Sequence, residues 1–474
     1  MPATVSADLC VIGAGSAGLS VAAGAAQMGA RTVLIEAERM GGDCLNTGCV
    51  PSKSLIAAAK AAEAMRHADR FGVQGGEPQV DFPAVHRHVK DVIATIAPHD
   101  SVERFTGLGC TVIQAHARFI DDRTVAAGGQ QIRARRFVIA TGSRAGVPPI
   151  PGLDDVPFFT NETLFDNDTL PEHLVIIGAG PIGCEMAQAH RRLGARVSLL
   201  DLGTMLPKDD PELAAVVRDA LLADGIDLIE RIEIRRIESR PGGIAVVAAK
   251  ESERVIEGSH LLIAAGRRPN VEDLGLEAAG VRYGPKGVEV DRRLRTSNRR
   301  IYAAGDVAGG YQFTHLAAYH AGIVLRNALF RLPAKVDTRA LPWVTYTDPE
   351  LAHVGLTEAQ ALDAIGTRIR VLRSEFAGND RARTERTTRG LIKVVVSGRG
   401  RVLGASIVGT HAGELILPWV LAVGGRVKIG TLAGVIAPYP TLSEISKQVA
   451  GSYYTPTLFG PRTRALVRLL GWLR

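Results

Sequence analysis

Long apolar runs, cysteines and aromatic residues are all scarce in this 474-residue sequence. The longest mainly apolar stretch, 415–423, is far too short to cross a bilayer, and the first seven residues lack the cationic start of a secretory signal peptide. We therefore expect a cytoplasmic protein. The five cysteines are too few, and odd in number, for a secreted disulfide framework. Any disulfide is expected to serve chemistry rather than to brace the fold.

The sequence also lacks a large excess of one charge: it has 56 Lys+Arg and 49 Asp+Glu, which gives a net charge of +7. Positive charge is concentrated in 381–389 and in 462–474, and neither stretch is interleaved with aromatic side chains as nucleic-acid surfaces are. We expect no nucleic-acid partner. The tail 461–474 combines arginines with apolar side chains, which fits weak contact with an anionic membrane. Packing on a second copy of the chain and fraying are the alternatives for this tail.

Two segments of the chain echo each other, each with an apolar run, a glycine-rich turn and an Ala-rich helical stretch before a second apolar run. This order predicts a βαβ unit twice over. Both turns have the spacing GxGxxG, and an acid follows the first glycine of each by 23 positions. Such glycines form a tight turn, let the backbone approach a pyrophosphate and let helix pack on strand, while the acid accepts from ribose hydroxyls. The residues are Gly13, Gly15, Gly18 and Glu36 in the first unit, and Gly178, Gly180, Gly183 and Asp201 in the second.

Cys44 and Cys49 stand just after the first of these units, separated by four residues that include Gly48. The glycine allows the turn that would bring the sulfurs together. Cys49 then begins a predicted helix, whose N-terminal dipole stabilises a thiolate. Two isolated core cysteines are the alternative, but the position beside a dinucleotide site favours a redox-active pair that stores two electrons.

The run from Cys44 through Cys49 to Lys53 resembles the FAD-dependent pyridine nucleotide-disulfide oxidoreductases of class I. That family includes dihydrolipoamide dehydrogenase, glutathione reductase and mercuric reductase. Further similar segments lie along the whole chain, at 140–142, 264–270, 304–306 and 439–444. The resemblance implies an α/β fold with two Rossmann-like dinucleotide-binding domains plus a C-terminal α+β dimerisation domain. The expected domains are FAD-binding at 1–150 and 273–340, NAD(P)-binding at 151–272 and dimerisation at 341–474.

The resemblance also implies roles for individual residues. Asp306 would bind the ribityl chain of FAD, and Lys53 and Glu185 would pair beside the isoalloxazine. NADH is favoured over NADPH because the Asp201 carboxylate would repel a 2'-phosphate. The glycine turns and Glu36 are also expected to contact the cofactors. Outside these turns, the expected cofactor contacts are Gly42, Thr141, Gly142 and Gly266.

Tyr439 departs from the family pattern, because thiol-exchanging members carry a histidine at this position as acid and base. A tyrosine titrates about 3.5 units higher, which makes its deprotonation near neutrality about 4–5 kcal/mol harder. Tyr439 can still donate a hydrogen bond or protonate a leaving thiolate, with Glu444 orienting it; simple packing at the interface is the alternative. A tyrosine at this position resembles the pattern of mercuric reductase. However, no cysteine follows Cys184 in this sequence, so the C-terminal cysteine pair of that enzyme is missing.

These observations predict an enzyme that passes electrons from NAD(P)H through FAD to the Cys44–Cys49 disulfide. Cys49 would be the sulfur nearer the flavin, and Cys44 would exchange with the substrate. The acceptor is a small disulfide, a thiol or a thiol-bound metal ion, in the manner of mercuric reductase or dihydrolipoamide dehydrogenase. The alternative function is a flavin-dependent diaphorase or quinone reductase that does not use the cysteine pair.

Overall fold

A computed structural model describes residues 3–250 and 252–472. The chain forms two compact units. The first contains the described residues up to Leu202 together with Arg231–Val336, and the second contains Gly203–Glu230 and the described residues from Asp337 onward.

A mixed sheet carries the first glycine turn. Its path runs through Cys110–Gln114, Thr32–Glu36, Thr4–Ile12, Gln130–Ile139, Thr124–Ala127 and Arg118–Phe119, and Ile301–Ala303 also pairs with Gln130–Ile139. The first four strands of this path pair parallel with their neighbours, and Ile301–Ala303 also pairs parallel with Gln130–Ile139. Thr124–Ala127 pairs antiparallel with Gln130–Ile139 on one side and with Arg118–Phe119 on the other. Thr32–Glu36, Ile301–Ala303 and the strand ends 9–12 and 137–139 are mainly apolar and buried, as expected where helices cover both faces of a parallel sheet. Helices Ser16–Gln27 and Thr314–Ala328 pack together in one of the cores beside this sheet.

The second glycine turn lies in a smaller parallel sheet of the same unit. Strands His260–Ile263, His173–Ile177 and Arg196–Asp201 pair in that order, and helix Pro181–Arg192 follows the turn. The remaining strands pair antiparallel as Glu233–Arg240 with Gly243–Ala249 and Glu253–Gly258, Ser143–Ala145 with Arg267–Pro269, and Tyr283–Gly284 with Gly287–Val288. The remaining α-helices of this unit are Gly42–Asn46, Cys49–Arg66, Phe82–Ile96 and Val102–Gly107.

The second unit is built on a five-stranded antiparallel sheet. Its order is Pro342–Thr345, Glu350–Gly355, Val402–Gly409, Leu391–Ser397 and Ile369–Glu375. Trp419 and Phe376 are the largest side chains buried in its core. The α-helices of this unit are Pro211–Ala223, Glu358–Ile365, Asp380–Thr384, Ala412–Leu415, Leu417–Gly424, Ile429–Ala433, Glu444–Ser452, Thr455–Leu458 and Pro461–Gly471, and Asp227–Glu230 is a further strand. The predicted fold class, two βαβ units followed by an α+β module, is confirmed.

A buried ion cluster braces the second unit. Lys393, only 6% exposed, lies on strand Leu391–Ser397, and its Nζ contacts the carboxylates of Asp210 at 2.8 Å, Glu212 at 3.0 Å and Glu358 at 2.7 Å. Arg373 also pairs with Glu212 and Glu358. Burial removes the ammonium group from water, which is unfavourable for its charge. The three carboxylates compensate for this loss of hydration.

Among the described residues, no helix combines the length and the apolar character that a membrane-crossing segment needs.

Candidate active site

Both glycine turns have the same geometry. Gly13 has a φ of +102°, and a Cβ on Gly18 would lie 1.8 Å from the Gly13 carbonyl oxygen, so neither position admits a side chain. The middle glycine differs, because a Cβ on Gly15 would meet nothing closer than 3.9 Å, and one on Gly180 would meet nothing within 4 Å. Each turn therefore leaves a cradle that a side chain would fill and that suits a pyrophosphate.

The two acids that follow these turns fold back on them. Glu36 Oε2 accepts a hydrogen bond from the Ala14 N–H at 2.5 Å, and Asp201 Oδ2 accepts one from the Ala179 N–H at 2.6 Å. Each carboxylate is thereby fixed at the end of its strand beside the cradle. This equivalence supports the interpretation of the two segments as copies of one nucleotide-binding device.

The other predicted cofactor glycines lie at loop positions. A Cβ on Gly42 would come within 2.7 Å of the Gly15 Cα, so this residue packs directly against the first cradle. Gly142 and Gly266 follow buried strands, and nothing lies within 4 Å of where their Cβ atoms would be. Thr141 is tied to Asn270, because its Oγ1 donates to the Asn270 carbonyl at 2.7 Å.

Asp306 begins a short 3-10 turn and belongs to a polar cluster. Ser143 Oγ donates to Asp306 Oδ2 at 2.6 Å, and Arg267 Nε donates to Ser143 Oγ at 2.8 Å. Burial raises the pKa of Asp306, while the hydrogen bond from Ser143 lowers it. Arg267 and Ser143 were not among the predicted site residues, although Arg267 lies inside the matching segment 264–270. The cluster unites three motifs that are far apart in sequence.

The turn that carries the cysteines is clamped by Asp43. Asp43 Oδ1 accepts from Thr47 Oγ1 at 2.8 Å and from the buried Asn161 Nδ2 at 2.9 Å, and Asp43 Oδ2 lies 3.1 Å from an Arg267 nitrogen. No sequence signal marked Asn161, because its partner is more than 100 positions away. The clamp fixes the bend between Cys44 and Cys49.

Cys44 lies in helix Gly42–Asn46 and Cys49 begins helix Cys49–Arg66, and both are free thiols. A hydrogen bond from the Cys44 thiol is the largest cause that lowers the pKa of Cys49 to about 6, and Thr314 and Lys53 lower it further. The same contact, together with burial, raises the pKa of Cys44 well above its ordinary value. Cys49 is thus the thiolate at neutral pH and Cys44 the protonated partner.

Two side chains outside the pair complete its surroundings. Thr314 Oγ1 lies 3.5 Å from Cys49 Sγ at the start of helix Thr314–Ala328, a contact that nothing in the sequence predicted. Lys53 Nζ donates to Glu185 Oε2 at 2.7 Å, and Glu185 is only 5% exposed. The pair expected from the resemblance is therefore brought together, with the ammonium group one helical turn after Cys49.

Tyr439 lies in the second unit and is 70% exposed. Its Oη donates a hydrogen bond to Asp380 Oδ2 at 3.1 Å, and this bond raises the pKa of the phenol. Glu444 begins helix Glu444–Ser452, and its carboxylate adds only a smaller electrostatic effect in the same direction. The carboxylate hydrogen-bonded to Tyr439 is therefore Asp380 rather than Glu444.

Comparison with known families agrees with this geometry. The model described as "Pyridine nucleotide-disulphide oxidoreductase" matches residues 7–321, and the model of the dimerisation domain of the same family matches residues 341–450. The chain belongs to the pyridine nucleotide-disulphide oxidoreductase family.

Curated relatives of this oxidoreductase cover nearly all of the chain. Mercuric reductase from Streptomyces lividans is 37% identical over 456 residues, which span 94% of this chain and 96% of the relative. Mercuric reductase from Bacillus cereus is 36% identical over 442 residues, spanning 92% of this chain and 70% of the relative. Dihydrolipoyl dehydrogenase from Geobacillus stearothermophilus is 33% identical over 462 residues, spanning 94% and 96%.

Two solved structures of similar proteins share the fold of this chain. The Cu(II) complex of the HOCl-induced flavoprotein disulfide reductase RclA from Escherichia coli has a TM-score of 0.85 at 29% identity, with 94% of this chain and 99% of that chain covered. LpdA from Mycobacterium tuberculosis has a TM-score of 0.86 at 28% identity, with the same coverage.

The family membership confirms the predicted enzyme class and cofactors. The protein is an FAD-dependent NAD(P)H:disulfide oxidoreductase, and the dimerisation domain indicates a homodimer. The residues present fit these cofactors, since both glycine cradles are open at their middle glycine. The residue that holds each part of the cofactors remains a prediction, as do the domain boundaries inside 1–340.

Proposed function

We propose that this oxidoreductase reduces a soft metal ion held by thiolates, with Cys44 and Cys49 as the sulfurs that receive the electrons and contact the substrate. FAD, when bound, takes a hydride from the nicotinamide and passes two electrons to the cysteine pair. The observation that carries the proposal is the arrangement of two cysteines near the start of helix Cys49–Arg66, with Thr314 Oγ1 3.5 Å from Cys49 Sγ and the Lys53 ammonium group one helical turn further on. Thiolates are the preferred ligands of soft cations.

The replacement of histidine by Tyr439 supports a metal ion over a dithiol. Reduction of a disulfide substrate delivers two protons as well as two electrons, so it needs an efficient base and acid at the site. Tyr439 has a raised pKa and stays protonated at neutral pH, which makes it a poor base. A metal ion accepts electrons without taking up protons, so it places no such demand on Tyr439.

The comparisons support the same acceptor class. Several relatives that cover more than nine-tenths of the chain are mercuric reductases, and one structural neighbour is described as a Cu(II) complex. The missing C-terminal cysteine pair means that Cys44 and Cys49 would bind the substrate without further cysteine ligands from that end of the chain. Binding would release the Cys44 proton, because a thiol must ionise to become a ligand.

The test is an acceptor screen with the purified holoenzyme. NADH oxidation is measured with Hg(II) or Cu(II) in excess thiol, and with lipoamide, glutathione disulfide and a quinone. We expect the metal ions to be the best acceptors and Cys44→Ser to reduce metal turnover by about 100-fold or more. Cys110→Ala is the control, because Cys110 is a buried cysteine that lies on strand Cys110–Gln114 and is not part of the pair. Metal turnover that survives Cys44→Ser, or a preference for quinone, would contradict the proposal and favour the diaphorase.

We also propose that NADH is the donor, that the enzyme works in the cytoplasm, and that small thiols, disulfides or metal ions are its substrates. Asp201 supports the choice of NADH, because its carboxylate is fixed at the second cradle where a 2'-phosphate would lie. The dinucleotide cradles support a location in which reduced nicotinamide is available.

We further propose weak contact between the last helix, Pro461–Gly471, and anionic lipid. None of its residues is buried, and Leu466, Leu469 and Leu470 are all more than half exposed. Its ionisable side chains are the arginines 462, 464 and 468, and no acid follows Glu444 in the sequence. Arginine beside exposed leucine is typical of helices that lie at a membrane surface.

Co-sedimentation with vesicles tests this contact. Full-length protein should pellet with vesicles rich in phosphatidylglycerol, and a variant that ends at Gly460 should not. Replacement of the three helix arginines by glutamine should have nearly the effect of truncation. Equal pelleting of the full-length and shortened proteins would contradict the proposal. A shortened protein that loses its dimeric mass would instead assign the helix to the second copy.

A further inference from the structure

The hydrogen bond between Tyr439 and Asp380 is held by a buried neighbour. Asn379 is fully buried, its Oδ1 accepts from the Ala382 N–H at 3.0 Å, and its Nδ2 donates to the Thr441 carbonyl at 3.1 Å. The first contact caps helix Asp380–Thr384, and the second ties that helix to the loop two residues after Tyr439. Both polar atoms of the amide are therefore used to keep the two segments together.

The basic residues near Asp380 are engaged elsewhere. Arg381 pairs with Glu385, and Arg383 Nε donates to the Ala377 carbonyl at 2.7 Å. The charged groups that act on Tyr439 are Asp380 and, more weakly, Glu444, and both are acidic. No basic group therefore contributes to the shift of the phenol, and Asp380 is the stronger influence.

A phenol has a single proton to donate. Because Tyr439 directs that proton to Asp380, the opposite side of its oxygen carries only lone pairs. We propose that Asp380 is the positioning residue for Tyr439, holding the phenol so that its oxygen faces an incoming substrate as a hydrogen-bond acceptor or neutral ligand rather than as a proton donor. This inference rests on the proposed function, since an acceptor oxygen suits a cation or a thiol S–H.

The orientation itself is tested on the holoenzyme by titration of tyrosinate absorbance at 295 nm. Each protein is compared with its own Tyr439→Phe derivative, so that the difference reports one phenol. We expect the pKa of Tyr439 to lie above the usual range of a phenol in the unmodified protein, and to fall in Asp380→Asn because the hydrogen bond to the carboxylate is lost. Asp363→Asn, which removes an exposed carboxylate from helix Glu358–Ile365 of the same unit, is the charge-matched control and should change nothing. Glu444→Gln should produce the smaller shift.

The contribution to turnover is tested by a double-variant cycle with thiol-bound Hg(II). Asp380→Ala and Tyr439→Phe should each lower kcat/KM about fivefold, as expected for loss of one hydrogen bond. The double variant should be no worse than either, because one residue acts through the other. Asp363→Asn, the control of the titration, should leave kcat/KM for the metal ion unchanged.

Two results would overturn the inference. An unchanged phenol titration in Asp380→Asn would show that Asp380 does not hold Tyr439, and additive losses in the cycle would show that the two residues act independently. Failure of the proposed function has a different signature, namely unmodified holoenzyme that does not reduce the metal ion. In that case the titration still decides whether Asp380 holds the phenol.

Discussion

Lys53 Nζ donates a hydrogen bond to Glu185 Oε2 at 2.7 Å, across 132 positions of sequence. The contact joins helix Cys49–Arg66, which begins at the redox thiolate, to helix Pro181–Arg192, which begins at the second glycine turn. One ion pair thus links the cysteine helix to the helix that follows the second glycine turn. It also keeps a positive charge close to Cys49, where it lowers the pKa of the thiol.

Removal of that cation should destabilise the protein. Lys53→Met removes the cation that pairs with the buried Glu185 carboxylate, and we expect a loss of about 2 kcal/mol in the free energy of unfolding. The loss is smaller than for a fully buried pair because 37% of the lysine side chain is exposed. Urea unfolding measures it, with Lys286→Met as an exposed control. Equal stability of the two variants would contradict the role assigned to the pair.

The pH dependence of the reduced enzyme follows from the cysteine pair. Because the pKa of Cys49 is lowered to about 6, its thiolate persists from neutral pH down to about pH 6 and is protonated below that. Thiolate absorbance at 240 nm in the reduced enzyme should therefore show a step near pH 6 that is absent in Cys49→Ser. A first step near pH 9, where an ordinary cysteine titrates, would contradict the assignment.

The ion cluster of the second unit gives a separate stability prediction. Lys393→Met leaves Asp210, Glu212 and Glu358 close together without their shared cation. We expect a loss of about 3–5 kcal/mol in the free energy of unfolding, which is the usual result when one partner of a buried ionic group is removed. Lys286→Met again serves as the control. A loss below about 1 kcal/mol would mean that the cluster is hydrated like a surface ion pair.

Local features of the sequence predicted the fold and the outline of the site. Glycine spacing, buried apolar runs and the acids Glu36 and Asp201 follow short-range rules, so the two nucleotide turns could be predicted from the sequence. The spacing of Cys44 and Cys49 likewise allowed the prediction of a cysteine pair. The contacts of Ser143 with Asp306 and of Asp43 with Asn161 could not be predicted, because they join residues more than 100 positions apart with no periodic signal.

The residue that is hydrogen-bonded to Tyr439 also could not be predicted from the sequence. From the sequence, Glu444 could orient the phenol, but the carboxylate hydrogen-bonded to Tyr439 is that of Asp380, 59 positions earlier. The tertiary contact through Asn379 brings Asp380 to the loop, and side-chain contacts of this kind depend on packing that sequence spacing does not report.

The proposed preference for NADH gives a prediction at Asp201. Asp201→Ser should raise kcat/KM for NADPH relative to NADH by about tenfold, because the repulsion of the 2'-phosphate is removed. Steady-state kinetics with both nucleotides measure the ratio. Glu36→Ser, the equivalent change at the first cradle, should instead weaken FAD retention and leave the ratio unchanged. An unaltered ratio in Asp201→Ser would place nucleotide selection elsewhere.

The most direct measurement is an anaerobic reduction of the holoenzyme by NADH, followed by absorbance. If electrons pass through the flavin to the cysteine pair, two electrons per FAD should produce a long-wavelength thiolate-to-flavin band that persists in Cys44→Ser and is lost in Cys49→Ser. Direct bleaching of the flavin with no such band in the unmodified protein would contradict the central claim that Cys44 and Cys49 carry the electrons.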